Sequence, residues 1–242
     1  MPGSHDSFDR PLSGTLQVIA RRLTGGFVAR TDETLRLLLQ HFGRAIEVGY
    51  FFPGTVTMSL VERATVDPAL LTWEIEVNDL PSSCLRVLAG LFEANSADLA
   101  DSYEILLSWE QGRASLAAAS RLPYPAPYPL PAFEVDLAES IAAYPALLIA
   151  VEFRQPMETD MYSGLFDEIS LWDVLCSAYP VTGEGRGLYR AVAEEPHTRF
   201  NDPWTLFHAL DTWEAKRESF SLLVNLCCSW SQRYSVTRLT VE

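Results

Sequence analysis

Two stretches of the chain alternate apolar and polar residues in the manner of half-buried strands. Trp73, Ile75 and Val77 alternate with Thr72, Glu74 and Glu76, and Tyr103, Ile105, Leu107 and Trp109 repeat the pattern. Such a period of two puts the apolar side chains on one face of a pleated ribbon. Gln111-Gly112 then turns the chain into residues 113–120, a hairpin signal. Residues 45–51 and 55–62 flank Pro53-Gly54, which suits a turn with Pro at its second position and Gly at its third, and predicts a second hairpin. The apolar run over 146–154 reads as a buried strand.

Other stretches repeat at helical spacing. Leu16, Ile19, Ala20 and Leu23 follow Ser13 and are stopped by Gly25-Gly26. The clearest helix has Thr31 or Asp32 as its cap, Leu35, Leu38, Leu39 and Phe42 on one face, and Gly43 as its end. Pro81 opens a helix through Leu85, Leu88 and Phe92. Asp136 caps a short helix ending near Tyr144, and residues 167–178 form an acidic amphipathic helix. Asn201 or Asp202, followed by Pro203, starts a helix containing Leu206, Phe207, Leu210 and Trp213. Residues 180–197 read as a loop around their glycines. The end, 219–230 and then 234–241, fits either a terminal hairpin or a helix followed by a strand, because short apolar runs do not separate the two by periodicity.

Together these elements predict an α+β fold: a mixed, largely antiparallel sheet with helices packed on it, in a single compact domain over residues 1–242. Between its halves runs a proline-rich connector, 123–131, in which every second residue is proline. In an extended chain, residues two apart point their N–H groups to the same side. Prolines at 123, 125, 127, 129 and 131 therefore remove every donor from one edge, while Tyr124, Ala126, Tyr128 and Leu130 keep theirs on the other. The tract is expected to be a stiff connector lying against the domain as an edge strand, a known protection of sheet edges. It holds no PxxP, so the usual proline-groove ligand is not expected.

Composition narrows the function. Hydrophobic residues make up 48% of the chain and charged residues 21%, which fits a globular protein with a real core. The net charge of −14 argues against phosphate-backbone binding, which depends on Lys and Arg, and against anionic membrane surfaces. No apolar run approaches the ~20 residues that span a bilayer. The first residues carry acids where a signal peptide carries positive charge, so the cytoplasm is the expected location. One lysine, Lys216, beside 17 arginines points to a GC-rich, bacterial genome. Cys84, Cys176, Cys227 and Cys228 lack the spacing of a zinc site and are expected to be buried free thiols.

Catalytic motifs are missing. The chain has no GxSxG elbow, no HExxH and no Gly-Lys-Ser/Thr loop. Glu194 and His197 have ExxH spacing, but Pro196 lies between them and no second ExxH exists. Gly183, Gly185 and Gly187 place the third glycine one residue early for a dinucleotide fingerprint. No metal or cofactor is expected. The alternative to a binding protein is a hydrolase or other small-molecule enzyme whose site is assembled from dispersed carboxylates and from His5, His41, His197 or His208.

The acidity is concentrated. Glu134, Asp136, Glu139, Glu152, Glu158, Asp160, Asp167, Glu168 and Asp173 face the single base Arg154 over forty residues, and supply more than half of the whole net charge. Met157, Met161, Tyr162, Phe166 and Trp172 are interleaved among them. Acids speed encounter with a basic protein, and aromatic and Met side chains are the usual desolvated anchors. The expected partner-binding residues are Glu158, Asp160, Met161, Tyr162, Phe166, Asp167, Glu168, Trp172 and Asp173. Bacterial immunity proteins resemble this chain in acidity, size and lack of catalytic motifs. That resemblance implies an inhibitor that neutralises a basic toxin or nuclease by protein–protein interaction.

Overall fold

The structure, a computed structural model, describes residues 11–23, 29–51, 60–63, 67, 69–94, 103–110, 112–137, 146–179, 197–211 and 217–242. The architecture is α+β, with two largely antiparallel sheets and helices. The chain divides into two compact units, Met1–Pro125 and Ala126–Glu242, and the division falls inside the proline tract.

The first unit holds strands β1 (Leu12–Arg22), β2 (Leu60–Arg63), β3 (Leu70–Leu80), β4 (Tyr103–Trp109) and β5 (Gly112–Ser115), in the sheet order β2-β3-β1-β4-β5. Its helices are α1 (Ala29–Val48), α2 (Cys84–Ala94) and the single turn α3 (Leu116–Ala119). All neighbouring strands run antiparallel. The expected alternation in β3 and β4 is present, and register aligns Trp73 with Val18 and Val18 with Leu107 across three strands. That face is buried. On the opposite face Thr15 Oγ1 donates to Glu76 Oε1 at 2.7 Å and Gln17 Nε2 to Glu74 Oε1 at 3.1 Å, so these acids are paired within the sheet.

Three expectations fail here. The helix proposed over Leu16, Ile19, Ala20 and Leu23 is the central strand β1, with Leu16, Val18 and Ala20 buried at period two. Pairing on both sides with β3 and β4 overrides the weak helical spacing. Gly43 does not end α1, which continues to Val48 and converts the first arm of the proposed 45–62 hairpin into helix. Gly49, with φ of 98°, ends it instead: its N–H bonds the carbonyl of Ile46 and the Tyr50 N–H reaches back to that of Ala45, a left-handed stop that glycine favours. The proposed turn at Pro53-Gly54 lies outside the described residues.

The second unit holds β6 (Glu134–Leu137), β7 (Ala146–Phe153), β8 (His197–Asp202), β9 (Thr205–Asp211) and β10 (Val236–Val241), in the order β6-β10-β7-β9-β8. Among the described residues of this sheet, only β6 and β10 run parallel. Helices α4 (Tyr162–Cys176) and α5 (Phe220–Arg233), each preceded by a single tight turn, complete it. Strand β7 and helix α4 stand where the apolar and acidic patterns predicted them. The terminal segment resolves as helix followed by strand.

Two more expectations fail in this unit. Asp136 lies in strand β6 and caps no helix; residues 138–145, the remainder of that proposed helix, lie outside the described residues. Asn201-Asp202-Pro203 turns a hairpin between β8 and β9, because the fixed φ of proline suits the second position of a turn as well as a first helical turn. Of the loop proposed over 180–197, residues 180–196, including Gly183, Gly185, Gly187 and Glu194, lie outside the described residues, and His197 begins strand β8.

The proline tract belongs to no strand, so the edge-strand expectation is corrected in form. Its donor-bearing edge is nonetheless held at one point. Asn225 of α5 accepts from the Tyr128 N–H at 2.8 Å and donates to the Ala126 carbonyl at 3.3 Å. One side-chain amide thus stands in for the peptide group of a neighbouring strand, on the edge that the prolines leave intact.

Candidate functional site

The expected partner-binding residues converge on helix α4 and the turn that leads into it, Thr159–Met161. Glu158 and Asp167 are exposed, Met161 and Tyr162 are half-buried, and Phe166 is 38% exposed. The side chain of Asp160 lies outside the described residues. Tyr162 donates its hydroxyl to the Met157 carbonyl at 3.3 Å, which braces the helix start against the segment carrying Glu158.

The other three expected residues turn inwards. Glu168 is buried and accepts from Trp230 Nε1 at 2.6 Å and from both terminal nitrogens of Arg233. Trp172 is fully buried, stacks on Phe220 with ring centroids 5.7 Å apart and donates to the Ser219 carbonyl at 3.0 Å. Asp173 is buried with His208 Nε2 3.0 Å from its Oδ1. These contacts tie α4 to α5 and to β9. The exposed residues of the first two turns of α4, Phe166 and Asp167, therefore present the rim, while Leu165, Glu168 and the later turns form core.

Sequence reasoning missed Trp204. It sits at the β8–β9 turn, 46% exposed, beside the exposed Asp202, whose Oδ1 accepts from its N–H at 2.7 Å. The Trp204 carbonyl accepts from Phe153 N and the Pro203 carbonyl from Met157 N, so this turn is bonded to the segment that ends at Glu158. The signal lay in Asp-Pro-Trp read as a turn, where Asp caps its own backbone two residues on.

A groove of about 430 Å³ opens elsewhere in the same unit. Its walls are Pro127, Tyr128 and Pro131 of the proline tract, Val135 and Leu137 of β6, and Glu218, Ser221 and Val224 at the start of α5. Neither His208 nor Asp173 lines it.

Hydrolytic chemistry from His208 and Asp173 would need an accessible and reactive neighbour. Burial raises the Asp173 carboxyl, with the His208 hydrogen bond opposing it. The adjacent Cys176 thiol is pushed well above its ordinary range, chiefly by burial, so it stays protonated and a poor nucleophile. All four cysteines are free and buried, as expected. Among the described residues no three His, Cys, Asp or Glu side chains gather as metal ligands, and no helix is long and apolar enough to cross a membrane. No family model matches the chain, and no curated protein matches it.

Proposed function

We propose that this chain is a non-enzymatic acidic binding protein of the immunity type, which neutralises a basic toxin or nuclease by covering it. The observation that carries this reading is the exposure of Phe166 next to Asp167 on α4, and of Trp204 next to Asp202 on a turn bonded to the segment that ends at the exposed Glu158. Carboxylates around such a rim attract a cationic surface and set its orientation. An aromatic that leaves water on binding supplies the retention. Glu168, Trp172 and Asp173 act one step back, holding α4 in place.

The test is capture of proteins from the source cell by the immobilised full chain, at low and at high salt. The expected result is a basic protein retained at about 50 mM salt and released near 500 mM, since exposed charges are screened over ~8–10 Å already at physiological ionic strength. Glu158→Lys combined with Asp167→Lys should abolish capture, and Phe166→Ser should shorten the lifetime of the complex. Both variants should melt within a few degrees of the parent, because exposed substitutions cost within about 0.5 kcal/mol. Capture that survives the charge reversal unchanged rejects the reading.

A further inference from the structure

The groove lies along β6, at the edge of the second sheet. Strand β6 ends the second sheet among the described residues, so one of its edges has no neighbouring strand in that sheet. Val135 and Leu137 point from this edge strand into the groove, while Glu134 and Asp136 alternate to the other side and meet Arg238. The facing wall is helical: Ser221 and Val224 stand one turn apart on α5, with the exposed carboxylate of Glu218 just ahead of them. Leu130, between the groove residues Tyr128 and Pro131, is 81% exposed.

We infer that this groove receives an extended segment of a partner protein, in which apolar side chains alternate with basic ones, and that the segment adds a strand to the open edge of β6. Three features select this occupant. The strand edge supplies backbone donors and acceptors that any extended chain can use. The apolar walls take every second side chain, as the period of a strand requires. Glu218 places a carboxylate at the mouth and favours Lys or Arg over an acidic neighbour. A precedent lies alongside: Asn225 on the same helix already holds the Ala126–Tyr128 segment by its backbone. None of the groove residues belongs to the aromatic rim of α4, so the inference does not depend on the proposed inhibitor function.

The probe is a capped, fluorescein-labelled hexapeptide of alternating valine and lysine, titrated with the full chain and read by fluorescence anisotropy at about 150 mM salt, where long-range attraction is largely screened. Saturable binding is expected, with the matching valine–glutamate peptide at least about tenfold weaker. Ser221→Trp fills the groove without changing charge and should weaken binding at least about tenfold, as should Glu218→Lys at an exposed position where the fold is not at stake. Two further peptides, each N-methylated at alternate nitrogens so that one or the other edge loses its donors, should differ by a similar factor. Glu158→Lys with Asp167→Lys should leave this binding in place, which separates the groove from the rim. The inference is overturned by no saturable binding up to about 1 mM, by unchanged binding to Ser221→Trp, or by equal binding of the two N-methylated peptides. It is equally overturned if the chain is a dimer that Ser221→Trp converts to monomer, since the occupant is then a second copy.

Discussion

Arg233 grips Glu168 with both ends of its guanidinium: Nη2 stands 2.6 Å from Oε2 and Nη1 3.1 Å from Oε1. Trp230 Nε1 donates to the same Oε2 at 2.6 Å. The three bonds fasten α4 to α5 at the point where α4 passes from exposed rim to core. The guanidinium pKa is raised, first by this hydrogen bond, while the carboxylate is the more buried partner. Removing Arg233 therefore leaves a buried charge with less compensation. Arg233→Met should destabilise by about 2 kcal/mol, moderated by the partial exposure of the arginine. Glu168→Gln, which keeps the shape, should cost less. Urea titration of the two single variants and the double variant gives the coupling directly, with about 1 kcal/mol expected for groups sharing one network.

Asn225 offers a second measurement. Its amide is buried and closes two hydrogen bonds to the proline tract. Asn225→Leu keeps the branched shape and removes both, at an expected cost of about 1–3 kcal/mol. The more specific readout is amide exchange. The Tyr128 N–H should lose protection by a larger factor than amides in the middle of β7, because the prolines on either side give the tract no other local ladder to fall back on. Equal loss at both places would mean that the tract is held by packing alone.

His41 should make the first unit sensitive to acid. Its ring is half-buried on α1, Nδ1 has no hydrogen-bond partner among the described residues, and burial lowers its pKa below 6.5. The folded state thus takes up this proton less readily than the unfolded chain. The stabilising contribution is present above the ordinary histidine pKa and is lost as pH falls through that value towards the lowered one. His41→Phe should flatten the decline in melting temperature between about pH 7.5 and 5.5 relative to the parent. A parallel decline in the two proteins would assign the acid sensitivity to other groups.

Elements whose pattern is local and admits one reading were legible from the residues alone. Trp73-Ile75-Val77 and Tyr103 to Trp109 alternate over a length that suits only a strand, and Leu35 to Phe42 repeat at a spacing that suits only a helix. The proline alternation likewise showed which edge of the tract could be held, although a side chain of α5 holds it and no strand does. Tertiary structure decided the cases where local chemistry fits two states. Leu16 to Leu23 could coil or extend until β3 and β4 paired on either side of β1. Asp202-Pro203 could open a helix or a turn until β9 paired with β7. The candidate site divides in the same way. Charge and aromatic content along residues 158–173 were legible, but the outward turn of Phe166 and the inward turn of Trp172 and Asp173 were not. The inward directions depend on Phe220, Ser219 and His208, residues 35 or more positions away in the chain. Periodicity records the forces between neighbours in sequence, whereas burial is settled by which distant surfaces exclude water together.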